Sequence, residues 1–385
     1  MYEIGQAEID AVAKVIRSGR LMRDFGGQGT VCEKLEAALA EKVGTRYALT
    51  VNSGTSALTC ALVGAGIGPG DEVIVPAYTF MATALAVLAV GAVPIIAEID
   101  ESLMIDPADV ERKIGRYTKA VIPVHMIGRA ADMAAVTRVA RRHKLTVIED
   151  ACQAVGGSYR GRRLCSIGQL GAYSFNWYKN ISAGEGGAVF TSSRKAYERA
   201  LIYHEGALTL YTSAKRPRET LFAGQKLRYN EVQGAIMTVQ LRRLDGILRR
   251  LRARQRAMAE VLGKSRRFRL APSNEIAGDC GSAVVLLFET AKDTLAFMDA
   301  HRKRIGMMRP YDTGKHVYSR WEPVLTQRGS HQDALNPFRF AQRKIRYSKD
   351  MCQRSLDIMA RSLVLHVPYK ATVGEARKLA RELVE

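Results

Sequence analysis

The 385-residue sequence lacks the cysteine and histidine spacings that are typical of metal-binding proteins. Its six cysteines are scattered without a CxxC pair, and its seven histidines form no HExxH motif. The cysteines are therefore predicted to be reduced thiols of a cytoplasmic protein, and no metal site is expected.

The sequence also lacks a secretory leader and an uninterrupted membrane span. Its first residues, MYEIGQAEIDAVAKVIRSG, have the pattern of an amphipathic helix rather than a basic region followed by an apolar one. The stretch between Glu72 and Glu98 is uncharged, and about 20 apolar residues can span a membrane. Because Pro76, Gly91 and Pro94 divide this stretch, a buried strand, helix and strand are predicted instead, with no membrane partner.

Negative charge is scarce, since the sequence has 58 lysines and arginines but only 38 acidic residues, which gives a formal net charge of +20. Such an excess suits either nucleic acid or an anionic substrate as a partner. However, the basic residues are dispersed over predicted helices, and no aromatic residues interleave them as in a stacking groove. A solvated basic surface without a nucleic-acid partner is favoured, and a nucleic-acid-binding regulator is the alternative.

Apolar, β-branched segments alternate with helical patterns from about residue 47 to residue 191. This alternation predicts the α/β class, with a mostly parallel central sheet flanked by helices and ligands beyond the carboxyl ends of its strands. A long helix after Asn230 is predicted to lead into a smaller C-terminal α+β domain, so residues 1–250 and 251–385 are expected to form two domains. The predicted strands are 47–51, 72–76, 93–99, 120–124, 145–148, 171–175 and 188–191.

Three short segments at predicted strand ends carry groups that could perform chemistry. In NSGTSAL, small residues open a helix whose N-terminus favours an anion, although Ser and Thr are also ordinary helix caps. In VIEDACQA, Asp150 follows an apolar strand, where a carboxylate either meets a cation or caps the next helix. In YSFNWYKNISAGEGGAVFT, Lys179 precedes a glycine-rich turn and is either a partly buried nucleophilic amine or a surface lysine.

Together the three segments match the protein groups that pyridoxal phosphate requires. These groups are a lysine that forms a Schiff base, a carboxylate for the pyridinium nitrogen and an anion site for the phosphate. Their order along the chain is also that of aspartate-aminotransferase-type enzymes. The combination therefore predicts a pyridoxal-phosphate enzyme more strongly than any one segment does.

The sequence resembles the DegT/DnrJ/EryC1/StrS sugar aminotransferases over about residues 4 to 370. The resemblance rests on NSGTSAL, GDEVIVPAYTFMAT, GAVPIIAEID, PVHMIG, IEDACQA, YSFNWYKNISAGEGGAVFT and LRYNEVQGA. It implies a pyridoxal-phosphate-dependent transferase of fold type I that moves an amino group from glutamate or glutamine to a keto sugar or keto-cyclitol. The product would serve the biosynthesis of an amino sugar, a surface polysaccharide or an antibiotic. One branch of the family has histidine at the position of Lys179 and catalyses dehydration, so a sugar dehydratase is the alternative that this lysine disfavours.

The resemblance also implies roles for individual residues. Lys179 corresponds to the Schiff-base lysine and Asp150 to the partner of the pyridinium nitrogen. The other implied cofactor contacts are Gly54, Thr55, Ser56 and Ser174 at the phosphate, Phe80 on the ring and Gln153 near the ring hydroxyl. Family members are usually homodimers with shared sites, and Lys226 takes the place of an asparagine that the partner chain contributes. Substrate contacts, each with a structural role as the alternative, are predicted for Phe25, His125, His204, Tyr311, Lys315 and His316.

Overall fold

The computed structural model describes residues 3–23, 29–207, 216–330 and 332–384. Within these residues the strands are β1 (Tyr47–Val51), β2 (Glu72–Pro76), β3 (Val93–Ala97), β4 (Thr118–Val121), β5 (Thr146–Asp150), β6 (Ser158–Tyr159), β7 (Arg162–Arg163), β8 (Leu170–Ser174), β9 (Gly187–Thr191), β10 (Arg269–Leu270), β11 (Ala283–Leu287), β12 (Met307–Met308) and β13 (Ser362–His366). The α-helices are α1 (Gln6–Ser18), α2 (Val31–Val43), α3 (Gly54–Gly64), α4 (Ala82–Ala89), α5 (Pro107–Lys113), α6 (Met133–Arg142), α7 (Arg194–Glu205), α8 (Glu231–Leu262), α9 (Ala291–His301), α10 (Glu322–Leu325), α11 (Gln353–Arg361) and α12 (Val373–Glu382).

The central sheet contains seven strands in the order β1-β9-β8-β5-β4-β2-β3. Only β9 runs antiparallel to its neighbours, and the remaining pairings are parallel. The α/β class and the mostly parallel sheet predicted from the alternating pattern are therefore confirmed. All seven predicted strands are present, with ends that differ by at most three residues.

The uncharged stretch between Glu72 and Glu98 folds as two buried strands and one helix. β2 and β3 pair in parallel, every residue in both strands is buried, and α4 connects them. Burial on both faces explains the continuous apolar sequence, because helices cover both sides of such a sheet. In the part of the chain that the structure describes, no helix has the length and apolar character that crossing a membrane requires.

A second, antiparallel sheet follows the long helix α8, with the strand order β10-β11-β13-β12. α12 packs along α8 and thereby brings the end of the chain back to its middle. The predicted boundary near residue 250 falls within α8. The division of the chain into two domains stays a prediction.

Several arginines of α8 bond to other segments. Arg243 Nη2 lies 3.1 Å from Glu8 Oε2 on α1, and Arg252 Nε donates to the Asp279 carbonyl at 2.7 Å. Guanidinium groups suit this role because they offer several donors in a fixed plane. Part of the positive charge therefore has a structural use in joining α1 and the connection between β10 and β11 to α8.

The central strand β5 ends with two neighbouring acids, Glu149 and Asp150. Glu149 is fully buried and accepts hydrogen bonds from the backbone N–H groups of Cys165, Ile167 and Gly168 at 2.7–2.9 Å. Successive strand residues point to opposite sides of a sheet, so Asp150 points away from this loop. Glu149 is thus a structural carboxylate, and its neighbour remains available for another contact.

We expect Glu149→Gln to lower the free energy of unfolding by about 3 kcal/mol, because charged hydrogen bonds are lost and an amide N–H₂ meets backbone donors. Urea unfolding followed by circular dichroism measures this change. Glu260→Gln is the matched control, since Glu260 forms an exposed pair with Arg377 and such pairs contribute about 0–1 kcal/mol. Equal midpoints for the two variants would contradict the role assigned to Glu149.

Candidate active site

A cavity of about 840 Å³ opens at the carboxyl edge of the central sheet. Residues that follow β1, β2, β4, β5 and β8 line one side of it, and residues of the second sheet and its connections line the other. Such an edge is where open α/β sheets bind their ligands. The cavity brings together the three segments singled out in the sequence.

The first segment forms an anion cradle at the start of α3. Ser53 caps the helix by accepting the Ser56 N–H at 3.0 Å, and the Ser56 hydroxyl lies 2.6 Å from Asn52 Oδ1. The Gly54 and Thr55 N–H groups belong to the first helical turn and have no acceptor within the helix. A Cβ on Gly54 would lie 2.7 Å from Ser174 Cβ, so only glycine lets the helix approach the Ser174 hydroxyl this closely.

The second segment places Asp150 in the cavity wall with 4% of its surface exposed. Its Oδ2 accepts the Thr83 hydroxyl at 2.8 Å, and its Oδ1 accepts the Cys152 N–H at 3.1 Å. Hydrogen bonds given to a carboxylate stabilise its charged form in a buried setting. Asp150 therefore offers a carboxyl group, held in place by two donors, to a ligand in the cavity.

The third segment places Lys179 on the same cavity in a half-buried position. Among the described residues its amine makes no hydrogen bond or ion pair. The loop that carries it is closed by bonds from Trp177 N to the Gly184 carbonyl at 3.0 Å and from Phe175 N to the Gly186 carbonyl at 2.8 Å. Gly186 has a φ of +139°, and a Cβ there would lie 2.4 Å from the Tyr229 ring. The glycines of GEGG are thus required by the turn that presents Lys179.

Phe80 and Gln153 also line the cavity. The Phe80 ring is 42% exposed, and its centroid lies 5.7 Å from that of His316. Gln153 Oε1 accepts the Ile127 N–H at 3.2 Å, so its side chain is held by the backbone that follows β4. Both residues are placed where an aromatic ligand beside Asp150 could contact them.

Two predicted substrate contacts, Lys315 and His316, lie on the cavity. Their backbone carbonyls accept the Met81 N–H at 2.8 Å and the Thr79 N–H at 3.0 Å, which attaches this late segment to the loop after β2. Burial, together with the charges of Lys315 and Lys179, lowers the pKa of His316 to about 4. His316 is therefore a neutral imidazole near neutral pH.

Three other predicted substrate contacts, His125, His204 and Tyr311, are not among the residues that line the cavity, and their contact with a substrate stays a prediction. His125 is fully buried, with Nε2 3.3 Å from Glu149 Oε2 and Nδ1 accepting the Ala131 N–H at 3.1 Å. His204 is also fully buried, and burial lowers its pKa well below the usual value. The remaining candidate, Phe25, lies outside the described residues.

Ser56 and Lys226 do not line this chain's cavity either. The N–H and hydroxyl groups of Ser56 are engaged within the helix cap, and its predicted phosphate contact stays a prediction. Lys226 Nζ lies 3.1 Å from the buried Glu205 carboxylate, and its side chain is 46% exposed. Its predicted contact belongs to the site of a partner chain and stays a prediction.

The donor set fits pyridoxal phosphate. The cradle offers N–H groups without an acceptor within the helix and the Ser174 hydroxyl to a phosphate. Asp150 offers a carboxylate to a cationic ring nitrogen, and Lys179 offers an amine without a partner among the described residues. The cavity also contains the Tyr78 hydroxyl, which is buried and has no hydrogen-bond partner in the described part of the chain. An unsatisfied buried hydroxyl is costly, so a polar ligand group would stabilise it.

Comparison with known proteins agrees with this geometry. The profile of the DegT/DnrJ/EryC1/StrS aminotransferase family matches residues 2–376. The chain belongs to this family. Membership indicates pyridoxal phosphate as the cofactor, which confirms the cofactor predicted from the sequence.

The chain is similar in sequence to named sugar aminotransferases. It is 41% identical over 248 residues to dTDP-3-amino-3,4,6-trideoxy-alpha-D-glucose transaminase of Streptomyces venezuelae, and 39% identical over 232 residues to GDP-perosamine synthase of Caulobacter vibrioides. These matches cover 63% and 60% of this chain, and the chain spans about three-fifths of the relatives' lengths, 62% and 60%. The solved structure of S. venezuelae DesV in complex with a ketimine intermediate has a TM-score of 0.78 and 30% identity, and the match covers 98% of this chain and 94% of DesV. The predicted fold type I is therefore confirmed.

Sequence reasoning missed several residues around the family site. Thr79, Thr83 and Cys152 line the cavity beside Asp150. Burial and the neighbouring Asp150 raise the pKa of the Cys152 thiol. The two threonines could have been found from the sequence, because they are hydroxyl side chains in a mostly apolar segment. No sequence signal distinguished the residues that reach the cavity from the second sheet and its connections, which include Arg304, Met308, His366 and Tyr369.

We expect Gly54→Ala to weaken pyridoxal phosphate binding by roughly ten-fold or more, because overpacking of about 1–3 kcal/mol would move the cradle away from Ser174. Fluorescence titration of the apoenzyme measures the dissociation constant. Gly374→Ala is the control, since among the described residues the nearest atom to its new Cβ, apart from the adjoining residues and the helix backbone, would be Thr372 Oγ1 at 3.9 Å. Unchanged affinity in Gly54→Ala would argue against a phosphate at this helix end.

Proposed function

We propose that this protein is a pyridoxal-phosphate-dependent aminotransferase that moves the amino group of glutamate or glutamine to a keto sugar or keto-cyclitol. The observation that carries the proposal is the meeting of Lys179, Asp150 and the anion cradle on one cavity. Family membership and the sugar aminotransferases among the relatives support it. Lysine rather than histidine at position 179 disfavours the dehydratase alternative.

The proposed mechanism assigns each side chain a separate task. Bound pyridoxal phosphate supplies an electron sink for the pair left when the α-proton of the donor is removed. Lys179 would hold the cofactor covalently and, once released by the donor, carry the proton between the donor α-carbon and the cofactor. Asp150 would keep a proton on the ring nitrogen. Gly54, Thr55 and Ser174 would bind the phosphate.

The remaining cofactor and substrate contacts are also proposals. Phe80 would pack on the ring and Gln153 would approach its hydroxyl. Lys315 and His316 would contact the acceptor, which enters between the two sheets. Supplying the pyridoxamine form of the enzyme with a panel of keto sugars and keto-cyclitols, and following loss of the amine, identifies the acceptor. We expect the protein to work in the cytoplasm, where its thiols stay reduced.

Lys179→Ala should abolish covalent cofactor attachment and slow turnover by roughly a thousand-fold or more, because the proton carrier is also lost. Borohydride reduction of the wild-type holoenzyme followed by peptide mass spectrometry should locate the pyridoxyl group on Lys179. Lys264→Ala, a change of an exposed lysine outside the cavity, is the control and should label and turn over normally. A pyridoxyl group on any other lysine would contradict the assignment of Lys179 as the residue that binds the cofactor covalently.

We also propose a homodimer in which each chain completes the other's site. Exposed apolar side chains near a site are typical of an interface, and Trp177 and Tyr178, next to Lys179, are 64% and 70% exposed. Met22 is another exposed apolar residue, at 63%. From the partner chain, Lys226 would reach the phosphate with the exposed end of its side chain.

Subunit mixing tests the shared site. Lys179→Ala and Lys226→Ala proteins should each have low activity as homodimers. In a mixed dimer one of the two sites would combine an intact Lys179 with an intact Lys226 from the other chain, so activity should return after unfolding and refolding the two together. A mixture no more active than its parents, with dimers seen by sedimentation, would show that Lys226 serves no partner site.

A further inference from the structure

Two threonines lie buried beside the carboxylate that faces the cavity. Thr79 is 0% exposed in the loop after β2, and Thr83 is 1% exposed in the first turn of α4. The surrounding segment, AYTFMATALAVLAV, is otherwise apolar. A buried hydroxyl is costly unless it forms a hydrogen bond, so each threonine here needs a partner.

The two hydroxyls and Asp150 form one directional chain of hydrogen bonds. Thr83 Oγ1 lies 2.8 Å from Asp150 Oδ2, and Thr79 Oγ1 lies 2.8 Å from Thr83 Oγ1. An ionised carboxylate can only accept, so the single hydroxyl proton of Thr83 goes to Asp150. Thr79 then donates to Thr83 at 2.8 Å, a much shorter contact than the 3.4 Å to its other acceptor, the Phe80 carbonyl. The bonds polarise one another in the same direction, as in other hydrogen-bonded chains of low dielectric.

Both ends of this chain of hydrogen bonds are fixed by backbone groups. At one end the Cys152 N–H bonds to the other Asp150 oxygen at 3.1 Å, so both carboxylate oxygens are held. At the other end the Thr79 N–H donates to the His316 carbonyl at 3.0 Å. The hydroxyl chain therefore connects a cavity-lining segment near the second sheet with the carboxylate at the end of β5.

We infer that Thr83 is a positioning residue that holds the Asp150 carboxylate toward the ring nitrogen of the cofactor, and that Thr79 orients Thr83. The inference rests on the proposed function, because it assumes a cofactor beside Asp150. Valine has nearly the shape of threonine without its hydroxyl. If the threonines only filled space, valine would replace them without consequence.

Thr83→Val should weaken pyridoxal phosphate binding by roughly ten-fold, since a hydrogen bond to a charged group is lost. It should also slow the single-turnover reaction of the holoenzyme with L-glutamate. Thr83→Ser, which keeps the hydroxyl, should recover both values. Thr79→Val should act in the same direction with a smaller effect, because it removes the donor to Thr83 and leaves the bond to Asp150.

A double-mutant cycle with Asp150→Asn separates positioning from packing. If Thr83 acts through Asp150, adding Thr83→Val to Asp150→Asn should change cofactor affinity and single-turnover rate no further. The pH dependence of the bound cofactor's absorbance should shift in Thr83→Val and return in Thr83→Ser. Thermal unfolding of each apoprotein checks that the variants fold. If Thr83→Val does not fold, Thr79→Val supplies the test.

Two outcomes would overturn the inference. One is wild-type affinity, rate and pH dependence in Thr83→Val and Thr79→Val. The other is that Thr83→Val lowers cofactor affinity and single-turnover rate by the same factor in the wild-type background and in the Asp150→Asn background. Failure of the proposed function is distinguishable from both, because the wild-type protein would then bind no pyridoxal phosphate at Lys179 in the borohydride experiment.

Discussion

The site depends on the cost of burying a carboxylate. Glu149 and Asp150 end the central strand of a seven-stranded sheet, where neither can meet bulk water. Glu149 is stabilised by three backbone N–H groups, which order the loop before β8. Among the described residues, the Asp150 carboxylate receives one backbone N–H and one hydroxyl. Glu149 is thus stabilised by hydrogen bonds within the protein, whereas the neighbouring Asp150 can still accept a bond from a cationic ligand group.

The parallel sheet explains why distant segments meet at this point. β1, β5 and β8 are separated by many residues but end at the same edge, so the start of α3, Asp150 and Ser174 become neighbours. The antiparallel strand β9 returns the chain from the same edge and requires the tight loop that carries Lys179. Glycine is needed where this loop crosses the Tyr229 ring and where α3 meets Ser174. Backbone contacts of this closeness define the positions of the cavity's reactive groups.

The second sheet completes the cavity through main-chain contacts rather than through a recognisable motif. The carbonyls of Lys315 and His316 bond to the loop after β2, and arginines of α8 fasten neighbouring segments. This use of guanidinium groups also accounts for part of the basic excess, which composition alone left open between a ligand and a surface. The charge of an arginine says little about function when its donors are engaged by carbonyl groups.

The sequence by itself determined the fold class, the strands and the three segments that hold Lys179, Asp150 and Gly54, because period, turn residues and local motifs are encoded within a few neighbours. It also indicated the cofactor, since the three groups that pyridoxal phosphate needs lie in recognisable strings. Only the tertiary structure decided that His125 and His204 are buried, that Ser56 bonds within a helix cap, and that Thr83 meets Asp150. The reason is physical: whether a histidine, hydroxyl or arginine faces a ligand depends on which partners distant parts of the chain supply, and no local pattern records those partners.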